Sequence, residues 1–194
     1  MSDLPISVAR RRRRMEGIRL AECGDRIAEN GTHLPALLAC VARTAGGVIE
    51  LGVGHFSTPI LHAVCEAAGR PLMSLESDER WVDEFANMRS DRHTIVHVRD
   101  WSHLATIGLT CDVALVDNVP PQTRMGHVEL LSRQARYVVV HDTEPDREEG
   151  YAFEPVFARF RHRCDDRRYV PWTTVLSDTE PLDWLVKIGN SGPG

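Results

Sequence analysis

The segment Val48–Thr58 places an apolar run, an acidic residue and two glycines directly before a helical pattern. This order predicts a strand through Glu50, a tight turn over Gly52 and Gly54, and a helix that begins near Ser57. Glycine permits the backbone of such a turn and lets a ligand approach the main chain. The unpaired N–H groups at the start of the helix can hold a polar or anionic group. The segment therefore predicts an enzyme with a nucleotide-like cofactor.

Strand-like and helix-like segments alternate after this motif. Near-continuous apolar runs such as Val113–Val116 and Val138–Val140 are typical of parallel strands that are covered on both faces. The predicted strands cover residues 47–52, 71–75, 94–98, 112–116 and 137–140, and the predicted helices cover residues 34–44, 58–68, 78–88 and 124–134.

The C-terminal part of the chain follows a different pattern. A helix is predicted over Tyr151–Arg163, followed by strands over Tyr169–Leu176 and Trp184–Ile188. The link between these two strands is too short for a helical crossover, so they should form a hairpin. The fold class predicted from the whole pattern is α/β, with a doubly wound, mostly parallel seven-stranded sheet and an antiparallel C-terminal edge hairpin.

The distribution of charge limits the class of partner. We predict a flexible basic arm over residues 1–14 and a single domain over residues 15–190 that starts with helices over residues 15–45. The net charge is −5, and the Arg10–Arg14 run contributes +5, so the rest of the chain carries −10. We interpret the run as a solvated tail, with contact to an anionic substrate or nucleic acid as the alternative. Because nucleic-acid enzymes usually present a basic face, the acidic body argues against nucleic acid as the partner.

The apolar segments and the cysteines indicate a compartment. No segment approaches the ~20 apolar residues that span a membrane, so no membrane association is expected. Five scattered cysteines without a C-x-x-C pair fit free thiols in a reducing cytosol. We therefore expect a cytoplasmic protein, and we leave its oligomeric state open, with a homodimer as one option.

Acidic residues recur where the predicted parallel strands end. Glu76, Asp100, Asp117 and Asp142 each follow such a strand. Ligands of open parallel sheets bind at the carboxyl ends of the strands. Clustered like charges repel one another, so stability does not explain the recurrence. We infer a ligand site at this edge of the sheet.

These motifs resemble those of the class I S-adenosylmethionine (SAM)-dependent methyltransferases, over roughly residues 45–190. In that family an acidic residue and a glycine turn follow the first strand, as Glu50, Gly52 and Gly54 do here. An acidic residue after the second strand holds the ribose hydroxyls, which matches Glu76 and the adjacent Ser77. The resemblance implies SAM as the cofactor, and the final antiparallel strands agree with it.

Other positions match the same family. An acidic residue after the third strand faces the adenine amino group, which matches Asp100 with Trp101 beside it, and Asp117 matches the acidic residue near the methionine part. The usual third glycine is replaced by Ser57 and Thr58, whose hydroxyls can bond to the cofactor carboxylate. The implied cofactor-binding residues are Glu50, Gly52, Gly54, Ser57, Thr58, Glu76, Ser77, Asp100, Trp101 and Asp117.

The chemistry of transfer is expected at the ends of the fourth and fifth strands, from Asp117, His141 and Asp142. His141 is the candidate general base because an imidazole titrates near neutral pH. The two carboxylates suit Mg²⁺, as in some small-molecule O-methyltransferases that this chain resembles, although Thr143 replaces the Asn that is often the third ligand there. A structural role for His141 and a metal-free polar contact or cap for Asp142 stay open. The expected substrate is a small molecule with a hydroxyl acceptor.

Two other functions stay open. An NAD-binding Rossmann oxidoreductase also uses a glycine turn and an acidic residue such as Glu76, but its G-x-G-x-x-G pattern needs a glycine where Ser57 stands. The chain can also be a module that binds the cofactor without methylating anything. The sequence contains no G-x-S-x-G elbow and no Walker loop, so hydrolase and kinase functions lack support.

Overall fold

A computed structural model describes residues 30–106, 110–147 and 151–185 of the chain. The predicted basic arm, its arginine run and the first part of the N-terminal helices lie outside the described residues. The strands are β1 Val48–Leu51, β2 Leu72–Glu76, β3 His93–His97, β4 Cys111–Val116, β5 Ala135–His141, β6 His162–Asp166 and β7 Thr173–Ser177. The α-helices are α1 Leu34–Ala42, α2 Ser57–Ala68, α3 Glu79–Glu84, α4 Arg124–Leu131 and α5 Glu154–Phe157, and 3₁₀ helices cover Ala86–Met88, Trp101–Thr106, Pro121–Thr123 and Pro145–Arg147.

The seven strands form one sheet in the order β3-β2-β1-β4-β5-β7-β6. Strands β1 to β5 pair in parallel, whereas β7 runs antiparallel to both β5 and β6. The strand order reverses between β1 and β4, and a crevice opens beyond the carboxyl ends of strands at such a point. The predicted doubly wound sheet with an antiparallel edge pair is confirmed.

Alternate side chains of the central strands pack on opposite faces of the sheet. In β4, Val113 and Leu115 join a core cluster with residues of α1 and α2, whereas Ala114 and Val116 join a cluster with residues of α4 and α5. All four side chains are fully buried. Because helices cover both faces, the strands need apolar residues at consecutive positions, which is the pattern seen in the sequence.

The sequence also determines where two of the helices begin and end. Helix α2 ends at Gly69, whose φ of 66° is the left-handed conformation that commonly terminates a helix. Helix α3 begins after Asp78, whose side chain accepts a hydrogen bond from the backbone N–H of Arg80. The starts of α2 and α3 follow the carboxyl ends of β1 and β2, so both lie at this edge of the sheet, beside the glycine turn.

The predicted bounds of the C-terminal elements were wrong. Helix α5 ends at Phe157 instead of Arg163, and the hairpin pairs His162–Asp166 with Thr173–Ser177. Residues 183–185, which were predicted to begin a strand, are helical, and residues 186–188 lie outside the described residues. The spacing of Phe153, Phe157 and Phe160 resembles a helical stripe because all three side chains pack on the same core cluster. The polar sequence of β6 hides an edge strand, where charged side chains protect the edge from pairing with another chain.

Within residues 30–106, 110–147 and 151–185, no helix is long and apolar enough to cross a membrane.

Candidate active site

The glycine turn lies between the end of β1 and the start of α2. Gly52 has a φ of 95°, and a Cβ atom at this position would lie 2.6 Å from the backbone oxygen of Asp117. Only glycine fits a turn that is both left-handed and this close to another backbone. The N–H of Gly54 donates to Thr58 Oγ1 at 2.9 Å, which joins the turn to the first turn of α2.

Glu50 and Thr58 stabilise this turn from beneath. Both residues are fully buried, and Thr58 Oγ1 donates to the Glu50 carboxylate at 3.0 Å. Ser74 Oγ donates to the same carboxylate at 2.5 Å. Burial raises the pKa of Glu50 to about 7, against the opposing effect of its hydroxyl partners. Glu50 and Thr58 are thus placed to fix the turn, and the cofactor contact predicted for them stays a prediction.

Glu76 connects the glycine turn to the start of α3. Its Oε2 accepts from the N–H of Val53 at 3.0 Å, and its Oε1 accepts from the N–H groups of Ser77 and Asp78 at 2.6 and 2.8 Å. Each carboxylate oxygen has about two acceptor positions, so Oε2 retains one position for a further donor. The structure thus holds Glu76 rigidly where the sequence predicts the partner of a ribose.

One crevice of about 600 Å³ joins this turn to the ends of β4 and β5. It contains eight of the predicted site residues, which the structure therefore brings together: Gly52, Gly54, Ser57, Glu76, Ser77, Asp117, His141 and Asp142. Its other lining residues are Asn30, His33, Val53, His55, Phe56, Asp78, Trp81, Val119 and Arg124.

Asp100 and Trp101 are not among the residues that line the described crevice. Asp100 Oδ1 accepts from the N–H of Ser102 at 2.9 Å at the start of a 3₁₀ helix. The indole N–H of Trp101 donates to the backbone oxygen of Val119 at 3.0 Å. Trp101 thus holds Val119, which lines the crevice, whereas Asp100 is exposed and caps the 3₁₀ helix; the contact with adenine predicted for both stays a prediction.

A cluster of four charged or titratable side chains closes the far end of the crevice, and we call it the strand-end cluster: Asp117, Arg124, His141 and Asp142. Arg124 Nη2 lies 3.0 Å from Asp117 Oδ1, and Arg124 Nη1 lies 3.1 Å from Asp142 Oδ2. The other Asp117 oxygen, Oδ2, lies 3.3 Å from His141 Nδ1. Each oxygen of Asp117 therefore faces a different cationic or titratable partner.

The electrostatics of this cluster favour an ionised Asp117. Burial alone would raise the pKa of its carboxyl, but the hydrogen bond and charge of His141, with the charge of Arg124, hold the pKa below its usual value. For His141, burial alone would lower the pKa, but Asp117 and then Asp142 raise it above 6.5. His141 thus holds a proton more strongly than a free histidine does.

Asp142 adopts an uncommon backbone conformation. Its φ of 59° lies in the left-handed region, which aspartate tolerates better than most residues. The turn at the end of β5 leaves its Oδ2 beside Arg124 and 3.4 Å from the hydroxyl of Tyr151. Strain of this kind is usually retained at functional sites, which supports a functional role for the end of β5.

The structure adds two site residues that the sequence reasoning missed. Arg124 is 4% exposed although arginine at a helix start usually lies in solvent, and only the long-range pairing of β4 with β5 brings two carboxylates to it. His33 is 1% exposed and its ring lies 4.7 Å from the ring of His141. No local motif in the sequence signals either residue.

The position of Arg124 also bears on the predicted Mg²⁺ site. A guanidinium group bridges Asp117 and Asp142, where the sequence placed a metal between the two carboxylates. The guanidinium pairs with one oxygen of each carboxylate, so it stands where an ion that joins the two would have to bind. The Asp117 and Asp142 pair thus gives no support to Mg²⁺, and Thr143, the position of the missing third ligand, is hydrogen-bonded to Thr174 Oγ1 at 2.9 Å.

Comparison with known proteins gives a fold and no closer relative. No family model matches the chain, and no curated protein matches its sequence. Human methyltransferase-like protein 13 in complex with SAH (S-adenosylhomocysteine) matches with a TM-score of 0.60 and 16% identity, over 80% of this chain and 88% of that chain. This chain has the class I methyltransferase fold.

Two further solved structures agree with this fold. SAH-bound methyltransferase PaMTH1 from Podospora anserina matches with a TM-score of 0.57 and 10% identity, over 72% of this chain and 74% of that chain. Cofactor-bound Rv0187 from MTB matches with a TM-score of 0.55 and 17% identity, over 77% and 80%. At these identities the likeness establishes the fold, and activity has to be argued from the site.

Proposed function

We propose that the protein is a SAM-dependent methyltransferase that moves the methyl group of SAM to a hydroxyl of a small molecule. The observation that carries the proposal is one crevice that joins the glycine turn and Glu76 to the strand-end cluster. A volume of about 600 Å³ lies within the range of small-molecule and cofactor sites. The class I methyltransferase fold and its SAH-bound neighbours support the choice of cofactor.

The residues at the turn suit an adenosyl group with a charged amino-acid tail. Glu76 offers a free acceptor position on Oε2 for a ribose hydroxyl, and its carboxylate is already held by three backbone N–H groups. Gly54 lines the crevice and no atom lies within 4 Å of where its Cβ would stand, so the space beside the turn is open to a ligand. SAM, when bound, supplies a methyl group on a sulfonium that is already reactive, so the protein has to align the acceptor and exclude water.

The strand-end cluster supplies the groups that handle the proton of the acceptor. Asp117 lies beside His141 Nδ1 and raises the pKa of the imidazole, so the ring attracts a proton more strongly than a free histidine does. Arg124 holds Asp117 and Asp142 in place by one ion pair to each. In the protein without a metal, His141 is thus the group that accepts the proton of a hydroxyl as the methyl group arrives.

The preference for a small hydroxyl compound has a structural basis and a direct test. Asp117 and Asp142 have side chains that are only 25% and 18% exposed, so the acceptor has to enter the crevice to reach them. The test is to incubate the protein with SAM and a panel of hydroxyl compounds and to measure S-adenosylhomocysteine (SAH) release with mass detection of the methylated product. We expect an O-methylated product whose formation falls at least 10-fold in His141→Asn.

The control and the alternatives follow from the same assay. His55→Asn changes a histidine at the crevice mouth, 58% exposed in its side chain and outside the strand-end cluster, and separates the loss of any crevice histidine from the loss of His141. SAH binding without product across nitrogen, sulfur and oxygen acceptors would favour the non-methylating module. Binding of NADH with no binding of SAH would favour the oxidoreductase and would refute the proposal.

A further inference from the structure

Two imidazoles and one carboxylate converge at the closed end of the crevice. His33, Asp117 and His141 each offer one ligand atom, and the three atoms lie within 4.8 Å of one another. His141 Nδ1 and Asp117 Oδ2 are 3.3 Å apart. Two ligands with bonds of ~2.0–2.1 Å to a tetrahedral ion are separated by ~3.3 Å, so this pair is already at the spacing of two ligands of one ion.

His33 is a buried polar residue whose position no hydrogen bond among the described residues explains. Its side chain is buried at 1% exposure, and neither ring nitrogen has a hydrogen-bond partner among the described residues. A buried polar atom without a partner costs ~1–3 kcal/mol, so native proteins rarely retain one without a ligand, water or function that uses it. Its ring contacts the ring of His141 edge-on and lines the crevice, and one of its ring nitrogens lies within 4.8 Å of ligand atoms of Asp117 and His141.

We propose that His33, Asp117 and His141 form a binding site for a divalent transition-metal ion of the Zn²⁺ and Co²⁺ type. Two imidazole nitrogens with one carboxylate oxygen suit these ions, whereas Mg²⁺ prefers oxygen ligands. Three protein ligands leave at least one position of the ion open to a substrate, the arrangement typical of catalytic rather than structural sites. The inference deepens the proposed function, on which its catalytic role rests.

The neighbours of the three residues are compatible with an ion. Arg124 pairs with Oδ1 of Asp117 and leaves Oδ2 to the imidazoles, so the guanidinium and the ion use different oxygens. Thr32 Oγ1 lies 2.9 Å from His141 Nε2 and is buried, which fixes the ring and leaves Nδ1 for the ion. Such an outer contact to the second nitrogen is typical of histidines that bind metals.

The ion would act on the acceptor. An ion held by these three residues would lower the pKa of a hydroxyl at its open position, which would favour loss of that proton to solvent before transfer. The oxygen then attacks the methyl carbon, an O–C bond forms, the C–S bond breaks, and the sulfonium becomes the neutral thioether of SAH. An ion on Nδ1 would take the place of the proton that His141 accepts in the metal-free protein. If His141 acts as a metal ligand, a chelator lowers the rate of methyl transfer. If His141 acts as the base, a chelator does not lower that rate.

The test measures binding of the metal alone, on the whole chain. Protein freed of metal with EDTA and dialysed is titrated with Co²⁺, and its visible absorption and calorimetric heat are recorded. We expect about one Co²⁺ per chain, at least 10-fold weaker binding in His33→Gln, and unchanged affinity in the control His55→Gln. Absence of stoichiometric binding, unchanged affinity in His33→Gln, or equal competition by Mg²⁺ would overturn the proposal.

A second measurement needs no variant. Zn²⁺ is added to the wild-type protein while the imidazole nitrogen resonances are followed, and we expect large shifts at His33 and His141 with His55 unaffected. Equal shifts at all histidines would show non-specific binding and would also overturn the proposal. The affinity for SAH is measured on the same metal-free sample and tests the proposed function separately. A protein that binds SAH but no Co²⁺ would overturn the metal site alone, and one that binds Co²⁺ but no SAH would overturn the proposed function alone.

Discussion

Gly52→Ala tests whether the turn between β1 and α2 is as tightly fitted as the structure shows. The new Cβ atom would lie 2.6 Å from the backbone oxygen and 2.7 Å from the backbone carbon of Asp117, atoms that cannot move away as a flexible side chain would. A residue with a side chain in left-handed backbone costs ~1–2 kcal/mol, and forced overpacking costs ~1–3 kcal/mol. We therefore expect the free energy of unfolding to fall by roughly 2–5 kcal/mol.

The measurement is urea unfolding of the ligand-free protein, with thermal unfolding beside it. For a domain of this size each kcal/mol shifts the midpoint by roughly 2–4 °C, so Gly52→Ala should unfold roughly 4–20 °C below wild type. Gly54→Ala is the matched control, because no atom lies within 4 Å of its new Cβ and its stability should change by no more than about 1 kcal/mol. Equal stability of the two variants would refute the close approach of β1 to β4.

Three further predictions concern the crevice. Glu76→Gln places an amide where backbone N–H groups donate, so we expect at least 10-fold weaker SAH binding by calorimetry, against no change in the exposed-residue control Glu84→Gln. Arg124→Met removes the shared cation of two half-buried carboxylates, so urea unfolding should show a loss of about 2–4 kcal/mol, and no loss would contradict the ion pairs. In the metal-free protein, NMR titration should place the pKa of His141 above 6.5 and that of His33 at about 4, with Asp117→Asn lowering the pKa of His141. Because folding raises the pKa of His141, its pairing with Asp117 stabilises the protein below pH 6.5, and this contribution is lost as the pH rises through the folded-state pKa.

The sequence predicts the central sheet well for a physical reason. Strands buried on both faces need continuous apolar residues, as in Val113–Val116, and each helix between them starts or stops at local signals such as Gly69. These patterns are short-range and can be read directly from the chain. The C-terminal hairpin could not be predicted in this way because β6 is polar. Its pairing with β7 depends on tertiary contacts, which the local sequence pattern does not show.

The site residues likewise fall into those that local sequence patterns predict and those that they do not. The acidic strand ends and the glycine turn could be predicted because parallel strands bring their carboxyl ends to one edge. Arg124 and His33 reach the same edge from a helix start and a turn, and nothing in their local sequence separates them from surface residues. Glu50 is buried with hydroxyl partners that support the turn, which the sequence does not reveal, and its predicted cofactor contact stays a prediction.

The most direct test of the cofactor assignment is isothermal titration of the metal-free protein with SAH and, separately, with NADH. We predict binding of one SAH per chain and no heat from NADH, because Ser57 stands where a dinucleotide-binding turn needs its third glycine. Absence of SAH binding to well-folded protein, or SAH binding that Glu76→Gln leaves unchanged, would contradict the assignment of this crevice to SAM.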